Sequence, residues 1–117
     1  MIKIVLEPIL FLYMENNEED FVVDQEDKLN LSKGERYLFK YILYFCRKYG
    51  TETVANTKEF RVKYLVVLAK NKVHQEESSV SKYFETLKNK GFLLIHPNYE
   101  KKYYKVKFEY ILNDKEF

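Results

Sequence analysis

One segment, residues 78–93, constrains the fold of this chain more than any other. Its apolar residues recur at i, i+3, i+4 and i+7 and so form one stripe along a helix: Val80, Tyr83, Phe84 and Leu87. Ser78 or Ser79 is expected to cap the start of that helix, and Gly91 is expected to end it. The apolar run Phe92–Ile95 then predicts a strand. We therefore expect an amphipathic helix that leads directly into a β-strand.

The other side of this predicted helix carries small polar and charged side chains. They are Ser79, Ser81, Lys82, Glu85, Thr86 and Asn89. Hydroxyl, amide and ammonium groups suit phosphate oxygens and base edges, and small side chains let a helix enter a DNA groove. Taken alone, the pattern also fits an ordinary surface helix, so its meaning depends on the elements around it.

The longest predicted helix starts at a capping box formed by Ser32 and Glu35 and ends at Gly50. Apolar and aromatic residues cover almost its whole circumference, which indicates a helix that is central in the fold or shared with a second subunit. In so short a chain we favour a dimer interface. Cys46 lies within this helix, and we expect it to be packed rather than reactive.

Residues 1–31 differ in charge from the rest of the chain. They hold two Lys and eight acidic residues, a net charge of −6, whereas residues 32–117 hold eighteen Lys or Arg and ten acidic residues, a net charge of +8. Within this acidic leader, residues 2–13 and 21–24 are expected to form a strand pair, with a helix over part of 8–15 as an alternative. The basic body favours a polyanion as partner, although charge can also serve only to keep a surface solvated.

Further elements are expected between the helices and after them. Thr51–Val54 predicts a short strand, and a second helix is expected from Lys58 to about Lys70, capped by Asn56 or Thr57. Side chains alternate in character along Tyr103–Leu112, which predicts one long strand. Three helices followed by a C-terminal β-hairpin are the winged helix-turn-helix arrangement. We therefore expect an α+β fold of that kind over residues 32–112, with an N-terminal β-hairpin before it.

Length and composition exclude several other classes of protein. The chain has 117 residues, 46% of them hydrophobic, which suits a single domain with one core. It has one cysteine, no run of roughly 18 to 20 apolar residues for a membrane span and no signal-peptide pattern, so we expect a cytoplasmic protein. The two His residues stand apart and the three glycines are not grouped, so we expect no metal, no cofactor and no enzymatic activity.

The pattern Ser79-x-Ser81-x-x-Phe84-x-x-Leu87-x-x-Lys90-Gly91-Phe92 resembles the recognition helix and first wing strand of MarR-type winged-helix regulators. This resemblance implies that the helix binds the major groove, with Ser79, Ser81 and Lys82 at the DNA and Thr86 next to them. A second, partial resemblance links Leu29-Asn30-Leu31-Ser32-x-x-Glu35-x-x-Leu38 to the start of the OmpR-type effector domain, in which an N-terminal sheet precedes the first helix. The glycine-tyrosine pair in the tail of that family is absent here, which leaves the subfamily open.

The loop before the last predicted strand has a basic tip. Lys101 and Lys102 are expected to contact the DNA backbone. Lys105 and Lys107 are equally consistent with DNA contact and with protection of an exposed sheet edge from pairing with another chain. The predicted DNA-binding residues are Ser79, Ser81, Lys82, Thr86, Asn89, Lys101 and Lys102.

These observations together predict a homodimer that binds double-stranded DNA sequence-specifically, as a small transcriptional regulator with no small-molecule ligand and no membrane partner. The N-terminal strands and the first helix would supply the dimer contact. If the dimer neutralises about six phosphates, the log–log slope of affinity against salt should be about −5. The alternative is a winged-helix protein-interaction module, an adaptor or replication-initiation component, that does not read DNA.

Overall fold

The computed structural model describes residues 29–96 and 102–112. Its helices are α1 (Lys33–Tyr49), α2 (Lys58–Lys70), α3 (Glu77–Asn89) and α4 (Phe108–Leu112), and its strands are β1 (Thr53–Ala55), β2 (Leu93–Ile95) and β3 (Tyr103–Val106). The fold class is therefore α+β, as predicted. The predicted N-terminal strand pair and the loop residue Lys101 lie outside the described residues.

The three strands form one antiparallel sheet in the order β1-β3-β2. In the central strand, Lys105 pairs with Thr53 on one side and with Leu94 on the other. Successive side chains point to opposite faces, so Tyr104 and Val106 are buried while Lys105 is exposed. The β2–β3 hairpin follows α3 directly, and its buried face packs against that helix.

The predicted ends of α1 are confirmed. The Ser32 backbone N–H donates to Glu35 Oε1 at 2.9 Å, and the Glu35 N–H donates to Ser32 Oγ at 3.3 Å, which completes the capping box. At the other end Gly50 takes a left-handed conformation with φ of 62°, and the Thr51 N–H donates to the Cys46 carbonyl at 3.0 Å. Local sequence signals therefore set both ends of this helix.

α1 is the central element of the described fold. Five of its residues are completely buried: Leu38, Phe39, Ile42, Leu43 and Cys46. The helix packs against α3, α4 and β1, so burial within one chain accounts for its apolar circumference, and the homodimer stays a prediction. Cys46 is packed, as expected, and its burial raises the pKa of its thiol.

α2 occupies the predicted range, with Thr57 as its cap. The Thr57 hydroxyl accepts from the Phe60 N–H at 3.2 Å. The buried residues recur every fourth position, Phe60, Tyr64 and Leu68, and the opposite side of the helix faces solvent.

Among the helices of residues 29–96 and 102–112, none has the length and apolar character that a membrane-spanning helix needs.

The prediction of one long strand over Tyr103–Leu112 is wrong. β3 ends at Val106 and the short helix α4 follows it. The partner strands are three residues long, so a strand continued past Val106 would leave backbone groups without partners, whereas the helical turn supplies a bond from the Tyr110 N–H to the Lys107 carbonyl. The helical turn also buries Ile111 completely in the core.

Candidate nucleic-acid interface

Helix α3 starts upstream of both serines that were expected to cap it. Its cap position is Glu76, whose side chain forms no capping bond, and the backbone N–H groups of Ser79 and Val80 donate to the Glu76 carbonyl. Glu77 stands in the first turn and binds Arg61 of α2 at 3.1 Å. An acidic side chain in the first turn complements the helix dipole, and this ion pair supports the earlier start.

The same arginine ties the start of α3 to the end of β1. Arg61 donates to Asn56 Oδ1 at 2.7 Å, and Asn56 Nδ2 donates to Ser81 Oγ at 3.4 Å. The first half of α3 is therefore connected by side chains both to α2 and to the segment that precedes α2.

The far end of α3 is fixed by the predicted glycine. Gly91 has a φ of 88°, its N–H donates to the Lys88 carbonyl, and the Phe92 N–H donates to the Leu87 carbonyl at 3.0 Å. These two bonds form a Schellman motif. The motif turns the chain from helix into β2, and Phe92 packs against Phe39 of α1 with 5.3 Å between ring centroids.

On one edge, α3 rests on the first turn of α1. The Tyr83 ring lies so close to Gly34 that a side chain at that position would overlap it. Next to this contact, Lys90 Nζ donates to Glu35 Oε1 at 2.6 Å. Burial alone would raise the pKa of Glu35, but hydrogen bonds from Lys90 and Ser32 outweigh it and lower the pKa to about 2.

On the opposite edge, α3 rests on the sheet. The rings of Phe84 and Tyr104 are stacked, 5.4 Å apart and tilted by 19°. The Tyr104 hydroxyl donates to Glu85 Oε2 at 3.1 Å, and the same carboxylate binds Lys88 at 3.2 Å. Burial, together with the bond to Glu85, raises the pKa of Tyr104 to about 12. Contacts on both edges therefore hold α3 in one orientation.

The side of α3 that faces away from the core consists of four exposed residues, which we call the outer face: Ser78, Lys82, Glu85 and Asn89. Two of the predicted DNA-binding residues, Lys82 and Asn89, belong to it. No residue of the described ranges forms a hydrogen bond or an ion pair with either of these two side chains. Ser78 and Glu85 were not among the predicted contacts.

Three other predicted contacts lie at the edges of the outer face and are half-buried. Ser81 accepts from Asn56, and the Thr86 hydroxyl donates to the Tyr83 carbonyl at 3.1 Å. Ser79 lies on the same edge as Thr86. A ligand would reach these hydroxyls only from the side.

Cations lie on the two elements that pack against α3. On the sheet Lys102, Lys105 and Lys107 are exposed, and Lys102 Nζ lies 5.9 Å from the centroid of the Tyr103 ring. Lys105 alternates with the buried Tyr104 and Val106, so it lies on the face of the sheet that points away from α3. On the α1 side Lys33 and Arg36 belong to the turn that contacts α3, and both lie over the Tyr37 ring. The sequence patterns did not single out these two α1 residues, because only the packing of α1 on α3 brings them to this surface.

The described residues form no group of three or more His, Cys, Asp or Glu side chains that could hold a metal ion. Comparisons with known proteins find no matching family model, no matching curated protein and no matching solved structure.

Proposed function

We propose that this chain is a small winged helix-turn-helix transcriptional regulator that binds double-stranded DNA as a homodimer. The order α1-β1-α2-α3-β2-β3 supports the proposal, because it places a β-hairpin directly after the third helix, as in that class of DNA-binding domain. The sheet order β1-β3-β2 fits the same arrangement. In this interpretation α3 is the recognition helix and the β2–β3 hairpin is the wing.

The observation that carries the proposal is the outer face of α3. Its side chains project from a helix that is held on both edges, so little backbone conformational entropy would be lost when they bind. Lys82 and Asn89 are two turns apart, and neither side chain forms a hydrogen bond or an ion pair with another described residue. A lysine can donate to guanine and an asparagine can bind adenine through two hydrogen bonds, so both side chains suit the major groove.

Glu85 places a negative charge on the outer face, beside the positive charge of Lys82. Its carboxylate stands between Lys82 and Asn89, and its bonds to Lys88 and Tyr104 lower its pKa, so it is ionised at neutral pH. A carboxylate repels phosphate but accepts a hydrogen bond from the amino group of cytosine. The centre of the outer face therefore suits base edges, and the flanking cations suit the phosphate backbone.

The test is titration of the full chain with duplex DNA, followed by mobility shift or fluorescence anisotropy at two salt concentrations. We expect affinity to fall steeply with salt and Lys82→Ala to weaken binding by about 1–3 kcal/mol. Lys63→Ala is the matched control, because Lys63 is exposed on the side of α2 away from α3 and its loss changes net charge equally. If both variants bind alike, α3 is not the recognition helix.

The protein-interaction module remains the second candidate, and one observation favours it. Leu94 and Ile95 of β2 are 45% and 49% exposed, so the hairpin presents apolar as well as basic side chains. Exposed aliphatic side chains of this size are common at protein contacts. The absence of any salt-sensitive binding to random-sequence duplex would favour this candidate over the first.

A further inference from the structure

A series of polar contacts at one edge of the outer face fixes how the Ser81 hydroxyl can form hydrogen bonds. Arg61 Nη1 donates to Asn56 Oδ1 at 2.7 Å, and Arg61 Nε donates to Glu77 Oε2 at 3.1 Å. Asn56 Nδ2 in turn donates to Ser81 Oγ at 3.4 Å. The Arg61 side chain is only 19% exposed, and the Asn56 backbone N–H donates to the Lys102 carbonyl at 2.8 Å, so both residues are held in place.

The guanidinium of Arg61 decides the orientation of the Asn56 amide. A guanidinium group only donates hydrogen bonds, whereas an amide side chain has an oxygen that accepts and an NH₂ group that donates. If the Asn56 amide were rotated by half a turn, its NH₂ group would face the donors of Arg61. That orientation loses a charge-assisted hydrogen bond and brings donors together. Asn56 therefore presents its NH₂ group to Ser81.

This orientation gives the Ser81 hydroxyl a definite hydrogen-bonding role. A hydroxyl group has one proton to donate and lone pairs that accept. Because Asn56 offers Ser81 only N–H groups, the serine oxygen accepts on that side. Within residues 29–96 and 102–112, the Ser81 hydroxyl donates to no other group. Its proton is therefore available to a ligand that carries an acceptor.

We propose that Asn56, oriented by Arg61, makes Ser81 a donor that selects guanine or thymine in the major groove. The proposal rests on the proposed function. Ser81 is the fifth residue of α3, and the N-terminal residues of a recognition helix contact base edges. Guanine O6 and thymine O4 accept a hydrogen bond there, whereas cytosine N4 and adenine N6 donate one. An amino group would approach the N–H groups of Asn56 and leave the Ser81 proton unpaired.

Neither Asn56 nor Arg61 belongs to the predicted DNA-binding residues. Asn56 is a positioning residue because it acts through Ser81, and Arg61 acts through Asn56. Asn56 follows β1 and Arg61 lies in α2, so elements outside α3 take part in the choice of base. The spacing of residues within α3 could not indicate this contribution.

The experiment is enrichment of bound sequences from a pool of duplexes with a random central segment. At one position of each half-site, we expect the full chain to prefer guanine or thymine by about two- to tenfold, as a single hydrogen bond allows. Ser81→Ala should remove that preference. Asn56→Asp should reverse it in favour of cytosine or adenine, because a carboxylate only accepts. The Ser81 hydroxyl would then donate to the carboxylate and offer its lone pairs to the base.

Two controls separate this reversal from the effect of the added negative charge. In a chain that already carries Ser81→Ala, Asn56→Asp should not change the base preference at that position. In the otherwise unmodified chain, it should not change the preferences that Lys82→Ala removes. The new carboxylate can still accept from Arg61, so we expect the fold to persist, and circular dichroism establishes that each variant folds.

The possible failures are distinct. If the chain enriches particular duplexes but Ser81→Ala changes no base preference, or weakens binding to every duplex alike, the proposal is overturned and the proposed function stands. A preference for guanine or thymine that persists in folded Asn56→Asp also overturns the proposal. If the chain enriches no sequence, the proposed function fails and the proposal fails with it.

Discussion

Replacing Glu35 with Gln tests how α3 is held against α1. A glutamine side chain still has an oxygen that can accept from the Ser32 N–H, so the capping box can survive. The variant loses the negative charge that binds Lys90 Nζ at 2.6 Å. It therefore separates the contribution of the ion pair from that of the helix cap.

The expected loss of stability follows from the pKa of the carboxyl group. Its fall from 4.5 to about 2 corresponds to about 3 kcal/mol of stabilisation at neutral pH. The Lys90 side chain is 43% exposed, so solvent screens part of this interaction. We expect Glu35→Gln to lower the free energy of unfolding by about 1–3 kcal/mol at neutral pH.

The pH dependence has a definite sign. Because the pKa is lower in the folded chain than in the unfolded chain, the stabilisation is complete above about pH 4.5 and is lost as the pH falls towards about 2. Urea unfolding of the unmodified chain and of Glu35→Gln, followed by circular dichroism, should give free energies of unfolding that differ by less than about 1 kcal/mol near pH 2.5.

Glu59→Gln, at an exposed carboxylate, is the control and should change the free energy of unfolding by less than about 0.5 kcal/mol. A Glu35→Gln difference that stays constant with pH would refute the reasoning.

Three further predictions concern packing around α3 and α1. Gly34→Ala should destabilise the fold by about 1–3 kcal/mol despite the higher helix propensity of alanine, because the new methyl overlaps the Tyr83 ring; thermal unfolding should show no such loss in a Tyr83→Ala background. Tyr104→Phe should cost about 0.5–1.5 kcal/mol in urea unfolding, since it removes the bond to Glu85, and an unchanged midpoint would contradict that role. Cys46 should react with a thiol reagent only at the rate of unfolding, and rapid labelling of the folded chain would mean that it is accessible.

Those features of the fold that depend on neighbouring residues could be predicted from the sequence. The Ser32–Glu35 box, the Gly50 end of α1 and the Thr57 cap each need only residues within one helical turn, and all three are present. The Gly91 turn belongs to the same group, because its left-handed conformation follows from the lack of a side chain.

Features that depend on distant residues could not be predicted in this way. The start of α3 at Glu77 is supported by Arg61, sixteen positions earlier in the chain. The end of β3 at Val106 is set by the lengths of β1 and β2, and alternation of side chains in Tyr103–Leu112 carries no information about those partners. In both cases tertiary contacts override a local pattern.

Some features of the candidate site follow from neighbouring residues in the sequence, and others depend on distant residues. Ser78, Lys82 and Asn89 have no buried residue directly beside them in the sequence, whereas Ser79, Ser81 and Thr86 each adjoin one and lie at the edges. Spacing alone therefore predicts most of the division, but it does not predict the exposure of Glu85, which adjoins the buried Phe84. Two further contacts could be found only from the structure. Asn56 binds Ser81 at one edge of the outer face, and Tyr104 binds Glu85. The second contact holds an ionised carboxylate between the exposed donor groups of Lys82 and Asn89.

This carboxylate decides what the outer face is suited to bind. If α3 contacted only phosphates, Glu85 would oppose the contact, and removing its charge would strengthen binding to every duplex. If the outer face reads bases, Glu85 provides an acceptor between two donors, and its removal would relax the choice of sequence. Lys33 and Arg36, whose charges can bind phosphate, lie on the first turn of α1, which packs against α3, and they do not compete with this acceptor. The binding experiment with a Glu85→Gln variant therefore separates the proposed base recognition from contact with the backbone alone.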